Sequence, residues 1–207
     1  MATLLTDDFN SYSVGNLNGN GTWVEGEETW KVQTAVTSEG TAAAHNNTNS
    51  TGLYARGAGT GVDAGRMSYY VRLDSTSNNL QMHVPHSTDI NHDCFMVSMN
   101  GEGGAKWQYR DNGGYHNLAA TWSANTWYCV EIEWTAGDQY QFRIDGASWN
   151  GYYNFYDAST PTYILFYYDN LSTTGNAYFD YIAEYPYGYE PPTTTERSKH
   201  NLLLGVS

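Results

Sequence analysis

Glu131 and Glu133 stand two residues apart in the run Tyr128 to Thr135. On a β-strand such a pair shares one face, with the carboxylates about 7 Å apart along it. That separation lies close to the one used by paired carboxylates in glycoside hydrolysis. The bland alternative is a solvated strand surface, with a weak cross-strand ion pair to Arg143. A second set is His83, His86, His92 and Cys94, with Asp89 and Asp93 between them. These are metal-ligand types, but the spacing H-x2-H-x5-H-x-C matches no zinc pattern, and a hairpin loop need not converge its side chains. Recognition of a sugar needs exposed rings for stacking and planar amides or carboxylates for hydroxyls. Two stretches supply both: Trp107, Tyr109, Arg110, Asp111, Asn112, Tyr115 and His116, and then Trp149, Asn150, Tyr152, Tyr153 and Asn154. Of these, Trp107, Tyr109, Asp111, Tyr115, Trp149, Asn150 and Tyr153 are the candidate carbohydrate contacts. The competing reading for each stretch is that its aromatic residues cover loops.

The elements that must position these groups are strands. Thr126 to Gly146 alternates strictly, with Tyr128, Val130, Ile132 and Trp134 followed by Tyr140, Phe142 and Ile144, around a short Thr-Ala-Gly-Asp-Gln connection. This is the pattern of a half-buried β-hairpin whose apolar set faces a core. Its other face carries Trp127, Glu131, Glu133, Gln141, Arg143 and Asp145, and is expected to be polar sheet surface. Further alternating runs begin at Met67, Leu80, Phe95 and Trp107, separated by the turn signals DSTSNN, NGEGG and DNGG, and YILFYY and AYFDYIAEY follow the hairpin. About eleven strands are expected, and no amphipathic helix. Trp23, Trp30 and Val32 are spaced as anchors that pin long early connections onto the core.

Composition supports a largely β protein. There are 7 Trp, 19 Tyr and 6 Phe, types that favour pleated surfaces, punctuated by Gly and Asn. The length of 207 residues suits one sandwich-sized domain with a tail. A net charge of −13 with only nine Lys and Arg argues against nucleic acid as a partner. Cys94 and Cys129 fall in separate strands and could be bridged only if their Cβ atoms approach to about 4.5 Å. The N-terminal MATLLTDDF has no basic region and no long apolar run. The chain as given is therefore expected neither to carry a secretory signal nor to insert in a membrane.

The ends of the domain carry similar acidic-aromatic segments, Asp7-Asp8-Phe9 and Tyr178-Phe179-Asp180-Tyr181-Ile182, so the first and last strands are expected to pair. Beyond residue 185 the composition becomes Pro- and Thr-rich, suiting an extended tail, and ends in the apolar Leu202, Leu203, Leu204 and Val206. Such an ending is expected to act as an assembly arm on a neighbouring subunit.

DDFNSY near the start, TWYCVEIEW followed by YQFRIDG, and AYFDYI near the end together resemble the concanavalin A-like lectin/glucanase superfamily, in particular its laminin G-like members. The resemblance covers about residues Thr6 to Tyr185. It implies an all-β fold, an antiparallel two-sheet jelly-roll sandwich over residues 1–185, with 186–207 as the tail. The superfamily includes sugar-binding modules, glycosidases, polysaccharide lyases and non-catalytic virion or adhesion domains. Its glucanase branch carries acids at three alternate positions of the catalytic strand, whereas here those positions hold Cys129, Glu131 and Glu133, then Thr135. Gln81-Met82-His83 is similar to the Gln-x-His element of alginate-lyase-like jelly rolls, but the Arg-rich and Lys-containing strands that accompany it there are missing. Some related jelly rolls hold a structural Ca²⁺, which implies Asp7, Asp8 and Asp180 as its ligands here. No other cofactor is expected.

These readings converge on a non-enzymatic structural or adhesive component of a larger assembly. A virion protein of the decoration, fibre or tail-associated kind is favoured, so an extracellular particle is the expected location. Its expected partners are other protein subunits, in a homo-oligomer, and also glycans. The alternative is a carbohydrate-binding module, and a glycan-active hydrolase or lyase comes third.

Overall fold

The computed structural model describes residues 6–24, 30–38, 40, 43–46, 53–58 (backbone alone), 62–87, 92–169 and 175–189. The expectation placed on Leu202, Leu203, Leu204 and Val206 lies outside these residues, as does Asp89.

Among the described residues fifteen strands form, more than the alternating runs alone suggest, because five of them are two- or four-residue pairings within the early connections and the hairpin ends. In chain order they are β1 (Thr6–Asp7), β2 (Gly15–Asn16), β3 (Trp30–Gln33), β4 (Ala43–Asn46), β5 (Leu53–Ala58), β6 (Gly65–Leu73), β7 (Asn79–Pro85) and β8 (Asp93–Asn100). There follow β9 (Lys106–Asp111), β10 (Gly114–Thr121), β11 (Tyr128–Thr135), β12 (Gln139–Ile144), β13 (Tyr153–Asn154), β14 (Tyr163–Asp169) and β15 (Ala177–Pro186). They make two antiparallel sheets. A nine-stranded sheet runs β13-β12-β11-β6-β15-β4-β3-β2 with β1 on β15, and a six-stranded sheet runs β10-β9-β8-β7-β14-β5. Among the described residues no helix is long and apolar enough to cross a membrane.

The hairpin forms as its alternation predicts. Val130 pairs with Ile144, Ile132 with Phe142 and Trp134 with Tyr140, and these side chains lie in the core, with Tyr128 and Ile144 packed at its margin. Gly65 on β6 is the close approach that makes room for this row, since a Cβ there would lie 2.6 Å from the Trp134 ring. The two sheets meet through rings. Phe166 of β14 stacks on Phe179 of β15 with centroids 4.0 Å apart and planes 4° from parallel, an arrangement that adds roughly 0.5–1.5 kcal/mol to the burial itself. Trp23 and Trp30 also pack on Phe179, and with Val32 they are fully buried, so the early connections are pinned as expected.

The chain ends pair, Thr6 with Ala183 and Asp7 with Ile182. Beside this pairing the register of β15 on β6 shifts between Asp180 and Ala183, and Tyr181 adopts a left-handed φ of 42°. The Asp180 carboxylate accepts from Tyr181 N at 2.8 Å and from Ser38 N at 2.8 Å, which holds this bulge. No disulfide joins Cys94 and Cys129, which lie on different sheets.

Candidate functional site

Each sheet presents an outer face, and the two faces treat their charges differently. On the nine-stranded sheet, cross-strand register sets Arg143 opposite Glu131 and Gln141 opposite Glu133, with Arg66 of β6 opposite Glu133 on its other side. Glu131 Oε2 accepts from Arg143 Nε at 2.6 Å, and its Oε1 accepts from Arg66 Nη2 at 3.0 Å and Arg143 Nη2 at 3.1 Å. Burial pushes the Glu131 carboxyl up, but the hydrogen bonds and charges of Arg143 and Arg66 outweigh it and hold the group below the usual glutamate range. Glu133 accepts from Gln141 Nε2 at 2.9 Å and from Gly188 N at 3.3 Å. Trp149 lies over both guanidiniums, 4.8 Å from Arg66 and 4.6 Å from Arg143, and Arg66 also donates to Tyr189 O at 2.9 Å.

The expectation that Glu131 and Glu133 lie on open, solvated sheet surface is therefore corrected. Both are buried, because Trp149 and the 187–189 segment cover this part of the sheet. A general acid for glycoside hydrolysis needs a raised pKa, and the two arginines push Glu131 the other way.

The six-stranded sheet builds its outer face from two cross-strand rows. One runs Tyr115, Arg110, Met96, His83, Leu165, and the other Asn117, Gln108, Ser98, Gln81, Tyr167. Met96, His83, Leu165 and Ser98 within these rows are no more than 2% exposed, so the face opens to solvent mainly at its β9–β10 end, around Arg110, Tyr115, Gln108 and Asn117. Asp93, fully buried at the start of β8, is its anchor: Oδ2 receives His83 Nδ1 at 2.7 Å and Arg110 Nη1 at 2.9 Å. The other His83 nitrogen, Nε2, meets Gln81 Oε1 at 2.8 Å, so the two polar residues of the Gln-x-His element do touch. Arg110 lies between two rings, 3.4 Å from the Tyr156 centroid and 5.0 Å from that of Tyr115. Those rings are 42% and 55% exposed, so the clamp stands open to solvent. Gln108 Nε2 donates to Asn117 Oδ1 at 3.1 Å, which lines up two amides beside it.

The structure divides the sequence-derived carbohydrate contacts. Trp107 is 2% exposed and belongs to the core, so it is no stacking platform. Tyr109 also turns inward, packing on Tyr153 at 4.2 Å and His116 at 5.1 Å, and burial together with Tyr153 pushes its hydroxyl up to about 12. The reason is the two-residue period of β9: Trp107 and Tyr109 share the inner face, while Arg110 points outward with Tyr115. Asp111 is tied to His116 Nε2 at 2.9 Å and to Gly113 N at 2.8 Å at the hairpin end. Tyr153 packs against Phe142 and Tyr140 and donates to Asn150 O at 3.1 Å, the exposed Asn150 lies along β12 with its N donating to Phe142 O at 3.0 Å, and Trp149 lies over Arg66 and Arg143 on the outer side of the nine-stranded sheet. Tyr156 was not singled out by sequence, since it sits in no alternating run. Its aromatic type in a Gly- and Asn-rich stretch was the only signal.

The acidic trio expected to hold Ca²⁺ is dispersed into local roles. Asp7 accepts from Phe9 N, Tyr12 Oη and Trp23 Nε1, at 2.9, 2.7 and 2.6 Å. Asp8 caps Asn10 N, and Asp180 holds the bulge. Among the described residues these three carboxylates do not converge. The His/Cys set separates too: His83 joins Asp93 on the sheet, the Cys94 thiol donates to Ser159 O at 3.0 Å, and His86 and His92 meet Asp157.

No protein-family model matches the chain, and no curated protein does. Solved structures do. A sialidase matches with a TM-score of 0.65 and 13% identity over 94% of this chain, and the binding domain of botulinum neurotoxin serotype D with 0.62 and 11% over 96%. This chain spans 19% of the sialidase and 52% of the toxin domain. The β-glucanase of Bacillus licheniformis matches with 0.59 and 13%, covering 88% of this chain and 97% of its own. The fold is thus a jelly-roll sandwich of the concanavalin-like kind, while the narrower laminin G-like likeness rests on the sequence motifs alone.

Proposed function

We propose that this chain is a glycan-binding, adhesive jelly-roll domain that takes its ligand on the outer face of the six-stranded sheet. One observation carries the reading: the Arg110 guanidinium, fastened by buried Asp93, stands between the exposed rings of Tyr115 and Tyr156. Rings that are rigid, exposed and amphipathic offer stacking area, and the neighbouring Gln108 and Asn117 amides offer donors and acceptors for hydroxyls. The structural likeness to a toxin binding domain and to a β-glucanase is compatible with this reading and shows only the fold. A virion role, expected from the N-terminal stretch, the incomplete catalytic sets and the C-terminal tail, has no support among the described residues.

Glycan-array screening of the full chain tests the proposal, followed by titration of any glycan found. Tyr156→Ala and Tyr115→Ala each weaken binding about tenfold, while Tyr152→Ala, on the other sheet, leaves it unchanged. Binding lost in Tyr152→Ala and kept in Tyr156→Ala would place the ligand on the nine-stranded sheet and overturn the proposed face, and an array with no glycan bound would remove the proposal altogether.

A further inference from the structure

We propose that His86, His92 and Asp157 form a site for one divalent transition-metal ion of the zinc class. His86 follows the end of β7 and His92 precedes β8, so the antiparallel pairing of these strands brings both imidazoles to one rim of the six-stranded sheet. The backbone fixes the two positions, because His86 N donates to His92 O at 3.1 Å. Asp157 arrives from the segment after β13, whose Tyr156 N and Asp157 N donate to Cys94 O and Asp93 O at 2.7 and 3.1 Å. Three ligating side chains therefore stand on backbone that is hydrogen-bonded together.

The donor geometry is close to that of a metal site. His86 Nε2 lies 3.0 Å and His92 Nδ1 3.7 Å from the same Asp157 oxygen, Oδ2, and all three ligand atoms are within 4.8 Å of one another. Zinc bonds of about 2.0–2.2 Å in a tetrahedron set neighbouring ligand atoms about 3.3–3.5 Å apart. Two of the separations straddle that range, and the imidazole pair closes the remainder by small rotations of part-exposed rings. The second oxygen, Asp157 Oδ1, accepts from Ser159 Oγ at 3.3 Å, a contact that orients the carboxylate as outer-shell partners of metal ligands do.

Two imidazoles and one carboxylate select zinc, copper or nickel over calcium or magnesium, whose ions prefer oxygen-only sets. Three protein ligands leave a fourth position to water or a ligand. Because Asp157 follows Tyr156 directly, a bound ion fastens the ring of the Arg110 clamp to the adjoining ends of β7 and β8. The metal site itself stands on its own geometry and does not depend on the glycan reading.

Isothermal titration of the EDTA-treated full chain with zinc chloride tests it, with calcium chloride as the control. The expected result is one zinc ion per chain, weakened at least tenfold in each of His86→Ala, His92→Ala and Asp157→Asn, with no saturable heat from calcium. At a free zinc concentration of 100 times Kd, the melting temperature rises by about 5–10 °C in the parent chain and not in the variants. All three positions are part-exposed, so the variants fold, which circular dichroism verifies. Zinc binding that is equally tight in the three variants, or reduced by His116→Ala in their place, would overturn the assignment.

Discussion

The outer faces of the two sheets use the same chemical types, arginine, carboxylate and aromatic ring, to opposite ends. On the nine-stranded sheet two arginines converge on one carboxylate, Glu131, and Trp149 closes over them, leaving Arg66 0% exposed. On the six-stranded sheet one carboxylate, Asp93, is buried beneath, and the arginine it holds reaches up between two rings that remain open to water. A lid over the charges spends their hydrogen-bonding capacity inside the protein, whereas a clamp that stands open keeps stacking surface for a ligand. The difference lies in which partner is on top, and residue type alone does not decide it.

This contrast is broken most forcefully at Glu131. Glu131→Gln leaves the buried Arg66 and the part-exposed Arg143 without their shared counter-charge and lowers stability by about 3 kcal/mol in equilibrium urea unfolding. Asp93→Ala comes next, at about 3 kcal/mol, since it strips both His83 and Arg110 of their acceptor, and it abolishes glycan binding as well. Trp149→Ala removes the ring from two arginines and costs about 1–2 kcal/mol, with no effect on the glycan.

Acid sensitivity sharpens the same comparison. The folded pKa of Glu131 lies below its unfolded value, so its contribution to stability is complete above about pH 4.3 and disappears as pH falls through the folded pKa. Unfolding free energies measured from pH 6 down to pH 2 therefore fall less steeply in Glu131→Gln than in the parent chain. The smallest stability effect belongs to the clamp itself: Tyr115→Ala changes stability by no more than about 0.5 kcal/mol, as expected of an exposed side chain.

The hairpin shows how far sequence reaches. Its strict alternation specified the core-facing set from Tyr128 to Ile144, and the paired chain ends and the buried Trp23 and Trp30 follow equally from local pattern. The state of the outward set did not follow, because what covers Glu131 and Glu133 comes from remote parts of the chain, Arg66, Trp149 and Gly188. Trp107 was misplaced for a simpler reason: composition groups it with Arg110 and Tyr115, but the strand period puts it on the other face. The histidines His86 and His92 carried no recognisable metal spacing because Asp157, the residue that completes the set, lies 71 residues beyond His86.

The most direct measurement is ¹H–¹⁵N chemical-shift mapping of the full chain on addition of a glycan selected from the array. Ligand on the six-stranded sheet predicts perturbations centred on Gln108, Arg110, Tyr115 and Tyr156, with Gln141, Tyr152 and Tyr187 unmoved. Perturbations centred on Trp149, Tyr152 and Tyr187 instead would contradict it, and would make the covered charges of the nine-stranded sheet the floor of the binding site.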